Sequence, residues 1–261
     1  MNLSAKQVLV ISEGPTEAKL LQRLFGKFDL PRVEVVSLNA NLKKLYLEYE
    51  SYECEYSDLD ITAVLRSSNQ VGRGDKEKLK GKSANDFSDI FLAFDLDPHT
   101  ADFDPQCVHK LMSHFCDSSD AGKLYINYPM VESFYHVPLA ILDGFDNTDV
   151  EKSLIRYEVR ELPGYKKRVN LEGFKYRKDH GVSLYQSVIR RHAKIVGFLT
   201  QQSIESTFQL KAKVALLKKK QLSSIQASKS GYVVNTFCLL VPELYPSKCP
   251  LTEEESTLPS E

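Results

Sequence analysis

Short apolar segments alternate with helical ones in the first half of the chain, and this alternation limits the possible folds more than any other feature. Residues 7–12 (QVLVIS) and 89–94 (DIFLAF) are rich in β-branched or large apolar residues without a helical period, which predicts buried strands. Helices are predicted from Pro15 to about Phe28 and from about Pro105 to Cys116. Strands and helices that alternate with short connections are typical of a mainly parallel sheet with helices on both faces. We therefore predict an α/β fold.

The remaining predicted elements are less regular. Residues 32–38 and 123–127 are predicted strands, and the apolar spacing over 42–49 indicates a helix. Residues 69–85 are rich in Gly and Lys and almost free of large apolar side chains, which predicts a loop within an insertion of about 40–86. In the second half, the pattern predicts helices over 183–198 and 204–222 and a late strand over 231–240.

Composition places the chain among ordinary globular proteins. Its 261 residues are 42% hydrophobic and 26% charged, enough for a large core. No apolar run approaches the roughly 20 residues that span a bilayer. The five Cys residues include no CxxC pair, and together with the lack of a signal peptide this predicts a cytoplasmic protein. We predict a domain over 1–140, a basic and mostly helical region over 141–250, and a disordered tail over 251–261.

Charge is distributed unevenly along the chain. Residues 160–220 hold fifteen Lys or Arg against four Asp or Glu, an excess of eleven positive charges, whereas the rest has an excess of twelve negative charges. Such a segment suits the binding of a polyanion. The alternative is a set of solvated helix faces without a ligand. The predicted nucleic-acid contacts are Lys166, Lys167, Arg168, Arg190, Arg191, Lys218, Lys219 and Lys220.

Both of the most apolar predicted strands run directly into carboxylates. Glu13 follows the first strand, with Glu17 in the first turn of the next helix, and Asp95 and Asp97 follow the strand at 89–94. Functional side chains of an open parallel sheet gather at its carboxyl edge. Converging carboxylates repel one another unless a cation lies among them, and their hard oxygens suit Mg²⁺ or Mn²⁺. Taken singly, each acid also fits a helix cap or a loop.

These residues resemble those of a known family. VLVISEGPTE followed by FLAFDLD is similar to the TOPRIM domain, the metal-binding module of topoisomerases, primases and several nucleases, in which a Glu follows the first strand and an Asp-x-Asp follows a later one. Glu17 resembles the variant found in overcoming-lysogenization-defect (OLD) nucleases and small phage-defence TOPRIM proteins. The segment NYPMVE, which ends at Glu132, resembles a proline-plus-acid segment of those groups. The resemblance covers about residues 5–140.

The resemblance implies a divalent-metal-dependent nuclease that cleaves RNA or DNA, an endonuclease acting as the toxic effector of an anti-phage defence system. Two Mg²⁺ or Mn²⁺ ions roughly 3.5–4 Å apart would activate a water and stabilise the leaving oxygen. Glu13 and Glu17 would hold one ion, Asp95 and Asp97 the other, and Glu132 would complete either shell. A Lys of the basic half would offset phosphate charge. The sequence lacks the large ATPase domain of full-length OLD proteins, so the resemblance implies a chain that acts alone or with a separate ATPase subunit; a homodimer is also open.

Other functions remain open alternatives. A non-enzymatic module that senses phosphate or a nucleotide through Mg²⁺ would use the same acidic edge. A receiver-like regulator would need a Lys after a late strand, whereas Lys123 precedes its strand, and a primase-like nucleotidyl transferase would need a template-binding domain. Zinc binding is disfavoured, because on one helix Cys107 and His114 would face away from His109 and Cys116.

Overall fold

The computed structural model describes residues 7–30, 32–52, 54–138, 150–175, 177, 180–201 and 207–251. Its strands are β1 Gln7–Ser12, β2 Val33–Ser37, β3 Phe87–Asp95, β4 Cys116–Asp117, β5 Gly122–Asn127, β6 Arg156–Glu158 and β7 Ser230–Tyr232. Its α-helices are α1 Pro15–Lys27, α2 Leu42–Glu50, α3 Ile61–Ser67, α4 Arg73–Lys78, α5 Pro105–His114, α6 Tyr165–Glu172, α7 Val182–Thr200, α8 Thr207–Ser228 and α9 Leu240–Leu244.

A five-stranded, mostly parallel sheet forms the centre of the fold. Its strand order is β2-β1-β3-β5-β4, with β1 parallel to both β2 and β3, and with β4 antiparallel to β5. Leu9, Val10 and Ile11 of β1 have no exposed surface, as expected for a strand covered on both faces. The predicted α/β class, with flanking helices, is therefore confirmed.

Helix α1 forms where the sequence predicts it. Pro15 takes the first position, where its missing N–H leaves no hydrogen bond unmade. The apolar stripe packs inward, since Leu21 and Leu24 have no exposed surface and Phe25 is 5% exposed. Burial of these three side chains stabilises the fold by about 1.5–3 kcal/mol each.

The loop predicted at 69–85 contains a helix. The short α4 carries no buried residue, so the apolar periodicity that would predict it is missing. It lies along β2, the outer strand of the sheet: the Ser37 N–H donates to Asp75 Oδ2 at 3.1 Å, and Lys78 Nζ donates to the Val35 carbonyl at 2.7 Å. Asp75 and Lys78 also form an ion pair with each other at 2.9 Å. Helix α4 is thus fixed to the sheet by polar contacts rather than by a core.

The predicted strand over 231–240 is wrong for most of its length. Only β7 is a strand there, and it pairs with β6 in an antiparallel two-stranded sheet. Residues Phe237–Leu239 form a 3₁₀ helix that leads into α9. All of Val233–Val241 is buried, so its mostly apolar character reflects burial and not an extended backbone.

By its internal contacts the chain divides into two compact units. The first unit contains the chain up to Arg23, Leu30–Asp95 and Asp102–Tyr125; the second contains Leu24–Asp29, Leu96–Ala101 and the chain from Ile126 onward. Residues 126–140, which the sequence analysis assigns to the first domain, belong to the second unit. The predicted disordered tail lies outside the described residues from position 252. Within the described part of the chain, no helix has the length and apolar character to cross a membrane.

Candidate functional site

In the first unit, Glu13 and Asp95 are held together by a backbone contact. Ser12, the last residue of β1, pairs in register with Ala93 of β3, which brings the ends of the two strands together. The Glu13 N–H donates to the Ala93 carbonyl at 3.0 Å, and the Asp95 N–H donates to Glu13 Oε2 at 3.0 Å. Asp95 is 7% exposed. The Glu13 carboxylate is therefore fixed over the end of β3, as the strand order requires.

Glu17 lies close to the same strand end. It is 8% exposed and belongs to the first turn of α1, where a carboxylate is favoured by the helix dipole. A Cβ added to Gly14 would lie 3.1 Å from Glu17 Oε2, so the absent side chain of Gly14 makes room for this carboxylate. The first unit thus joins Glu13 and Asp95 by direct contact and places Glu17 beside Gly14, just after the end of β1.

In the second unit, the backbone places Asp97 in an uncommon conformation. Its φ is +43°, in the left-handed region that Asp tolerates better than most residues. The Asp97 N–H donates to the Pro129 carbonyl at 3.1 Å, and the Leu96 N–H donates to the Asn127 carbonyl at 3.2 Å. Non-glycine residues held in such regions cluster at functional sites.

Asp97 and Glu132 each keep one buried carboxylate oxygen without a hydrogen-bond partner. Glu132 lies in the 3₁₀ helix Val131–Phe134, here called the Glu132 turn. The two oxygens are Asp97 Oδ1 and Glu132 Oε2. Burial and the nearby negative charge of Glu132 raise the pKa of Asp97 to about 6, although the Lys166 charge opposes this. Because Glu132 disfavours the ionisation of Asp97, a cation bound between the two acids would relieve their repulsion.

Lys166 contacts this acidic pair, a contact that the sequence does not reveal. Its Nζ lies 3.0 Å from Glu132 Oε1. Helix α6, which begins one residue before Lys166, is joined to the chain just after the Glu132 turn, because the Phe174 N–H donates to the Tyr135 carbonyl at 3.0 Å. Two separate stretches of sequence thus supply the acid and the base.

A buried histidine also connects the Glu132 turn to α6. His136 Nε2 lies 3.0 Å from Glu172 Oε2, and His136 Nδ1 lies 3.0 Å from the Tyr165 hydroxyl. Burial lowers the pKa of His136, which favours the neutral ring. Because an ionised carboxylate only accepts, Nε2 carries the proton and donates to Glu172, while Nδ1 accepts from Tyr165. This polar bridge fixes the first turn of α6, and with it the backbone of Lys166.

The eight basic residues predicted to contact nucleic acid have different environments. Lys167 and Lys219 are exposed. Arg168 binds Glu172 at 3.0 Å, Arg190 donates to the Pro250 carbonyl at 3.1 Å, and Lys220 donates to the Leu199 carbonyl near the end of α7 at 2.8 Å. Arg191 and Lys218 are only 2% and 3% exposed, so the structure does not place them on a surface that phosphates can reach. The stems of both are packed inside because they lie on the inner faces of α7 and α8.

Arg191→Met is expected to stabilise the chain. Arg191 is buried, its Nη2 donates to the Ser153 carbonyl, and its Nε has no hydrogen-bond partner. Burial lowers its pKa to about 10, which reflects the desolvation of the guanidinium. An apolar side chain of similar length removes that penalty, and we expect a gain of about 1–2 kcal/mol in the free energy of unfolding. Urea denaturation measures it; a loss of nucleic-acid affinity at unchanged stability would contradict the buried assignment.

The described residues hold no group of three or more His, Cys, Asp or Glu side chains arranged to bind a metal ion. The zinc-like residues of α5 have other neighbours: Cys107 Sγ contacts Lys43 and Asp104, whereas the His114 ring packs against Tyr49 and Phe115. A metal at Asp97 and Glu132 would therefore keep ligands from water or substrate, as Mg²⁺ bound through one or two carboxylates does.

The pattern that resembles TOPRIM proteins consists of Glu13, Glu17, Asp95 and Asp97, followed by the Glu132 segment. Scans against models of protein families, against curated proteins and against solved structures found no match for this chain.

Proposed function

We propose that this chain is a divalent-metal-dependent nuclease of the TOPRIM type, acting on RNA or DNA, in which Asp97 and Glu132 hold an Mg²⁺ or Mn²⁺ ion. The observation that carries the proposal is the pair of buried carboxylate oxygens without hydrogen-bond partners, Asp97 Oδ1 and Glu132 Oε2. A buried, unsatisfied carboxylate oxygen destabilises the fold, and a hard cation satisfies it. The raised pKa of Asp97 supports the same assignment, since a bound cation removes the repulsion between the two acids.

The acids of the first unit are proposed to bind a second cation. The Asp95 N–H donates to Glu13 Oε2, which holds these two residues together, and Glu17 follows in the first turn of α1. This assignment differs from the one that the resemblance implies, because Asp97 is grouped with Glu132 rather than with Asp95.

Bound divalent cations supply a water of lowered pKa and stabilise the charge on the leaving oxygen. The residues of this chain hold the phosphate in place and offset its charge. Lys166 at the acidic pair and the exposed Lys167 beside it in α6 are the basic residues proposed for this role. Phosphate contacts of this kind carry no base specificity, which fits a nuclease that acts on many sequences.

The biological setting follows from the resemblance alone. Small phage-defence TOPRIM proteins act as toxic effectors, and we propose the same role here, with a separate ATPase subunit as partner. Affinity purification of the tagged chain from its native host tests the partner: an ATPase recovered in stoichiometric amount supports it, and a chain that elutes alone contradicts it.

The nuclease proposal is tested by incubating the purified chain with a mixture of RNA and DNA in Mg²⁺, Mn²⁺ or EDTA. Cleavage is expected with either metal and not with EDTA. Glu132→Gln should lower the rate at least about a hundredfold, because it removes one ligand charge at the metal. Glu161→Gln, which changes an exposed acid of the same unit, should cleave at the wild-type rate. Cleavage that persists in EDTA or in Glu132→Gln would refute the assignment.

A non-enzymatic sensor of phosphate or nucleotide is the second candidate. The contact between Glu13 Oε2 and the Asp95 N–H favours it, because that contact uses an oxygen that a two-metal centre would otherwise take. This candidate predicts Mn²⁺-dependent binding of a nucleotide by the purified chain with no cleavage of either nucleic acid. Turnover in the assay above excludes it.

A further inference from the structure

The contact between Lys166 and Glu132 joins an exposed ammonium group to a mostly buried carboxylate. The Lys166 side chain is 69% exposed, whereas that of Glu132 is 19% exposed. Exposed ion pairs of this kind are worth about 0–1 kcal/mol, so the ammonium exchanges readily with solvent. The carboxylate, by contrast, is held in the Glu132 turn with its second oxygen buried.

The backbone of Lys166 is held by buried neighbouring residues, whereas its side chain is exposed. The preceding residue, Tyr165, is 2% exposed, and its hydroxyl binds the buried His136 at 3.0 Å. At the other end of α6, Glu172 binds the same His136 at 3.0 Å. The reach of the exposed Lys166 side chain is therefore set by the position of the first turn of α6.

We propose that Lys166 is an exchangeable counter-ion of the acidic pair. Without a divalent cation its ammonium group occupies Glu132 Oε1; when a cation binds Asp97 and Glu132, the ammonium leaves and becomes available to a substrate phosphate. This inference rests on the proposed function and adds to it a coupling between metal binding and phosphate recognition. The two positive charges compete for one carboxylate, so removal of the Lys charge should strengthen metal binding and weaken nucleic-acid binding.

The test is a titration of the full chain with Mn²⁺ alone, without nucleic acid, at low ionic strength. Lys166→Gln should lower the Kd for Mn²⁺ by up to about fivefold, which is the range set by the loss of one exposed ion pair of about 0–1 kcal/mol. Lys166→Arg keeps the charge and should bind Mn²⁺ as the wild type does. Lys175→Gln is the matched control, because it removes one positive charge from an exposed position of the same unit that is not proposed to contact phosphate.

A second measurement on the same proteins should show the opposite change, a loss of affinity for nucleic acid. With Mn²⁺ at saturation, Lys166→Gln should bind single-stranded nucleic acid more weakly than Lys175→Gln does. Circular dichroism confirms that each variant is folded. Suppose that the wild type binds Mn²⁺ through Glu132, but Lys166→Gln binds Mn²⁺ equally or more weakly. That result refutes the counter-ion role of Lys166 and leaves the metal site at Asp97 and Glu132 supported. If neither the wild type nor Lys166→Gln binds Mn²⁺, both the proposed function and the counter-ion role of Lys166 are refuted.

Discussion

Asp97→Asn should abolish metal-dependent cleavage and at the same time stabilise the folded chain. The substitution keeps the shape of the side chain, and Asn tolerates the left-handed backbone at this position, where φ is +43°. It removes the charge that would hold a cation, so the rate should fall at least about a hundredfold. It also removes an acid that burial and Glu132 disfavour, and the free energy of unfolding at pH 7 should rise by about 1–2 kcal/mol after allowance for partial solvent exposure.

The pH dependence of stability separates this acid from an ordinary surface carboxylate. The pKa of Asp97 is about 6 in the folded chain, against the ordinary value of 3.8 that applies in the unfolded chain, so the folded state holds the proton more tightly. Stability from this group is full below the lower value and is lost as the pH rises through the higher one. Urea denaturation between pH 4 and pH 7 should show that the stability of Asp97→Asn relative to the wild type rises with pH, because buried histidines that titrate in this range are common to both proteins and cancel in the difference. A difference that stays constant over this range would show that Asp97 is not responsible.

Gly173→Ala should destabilise the second unit strongly. A Cβ at this position would lie 2.1 Å from the Tyr135 carbonyl oxygen and 2.9 Å from that of Val169, both backbone atoms that cannot turn away. Helix α6 must therefore separate from the Tyr135 segment, at a loss of about 3 kcal/mol or more. The contact of Lys166 with Glu132 depends on the same packing, so metal-dependent cleavage should fall with stability.

Gly164→Ala provides the matched control at the other end of α6. No atom lies within 4 Å of a Cβ built there, and its φ of −95° suits an L-residue. The substitution reduces the freedom of the unfolded chain, so stability should be unchanged or rise by up to about 1 kcal/mol. Thermal melting of both variants checks the pair. Equal melting temperatures would mean that α6 does not pack against Tyr135 as described.

The sheet and the acids at its strand ends were predictable because local pattern and tertiary structure agree there. The run Gln7–Ser12 is apolar on every side, and a strand covered on both faces requires that. Pro15 can begin a helix but cannot extend the strand, so Glu13 is necessarily at the strand end. Asp95 is placed by the same reasoning, as the last residue of β3.

The rest depends on contacts between distant segments, which periodicity does not report. Lys166 is paired with Glu132 across 34 positions of sequence, and nothing in either local pattern indicates the partner. Arg191 and Lys218 count as positive charges in a composition window, but their helices turn them inward. Helix α4 was missed because its stabilising partners are backbone groups of β2, and a polar helix of that kind has no apolar stripe.

The attachment of α4 to β2 has a consequence for self-association. An outer strand with unpaired backbone groups is a template for the addition of strands from other molecules, and it promotes aggregation. Here the Ser37 N–H and the Val35 carbonyl are already bound by Asp75 and Lys78, and an incoming strand would have to displace two side chains that also bind each other. Helix α4, in the Lys-rich segment 69–85, therefore opposes growth of the sheet by strand addition at β2.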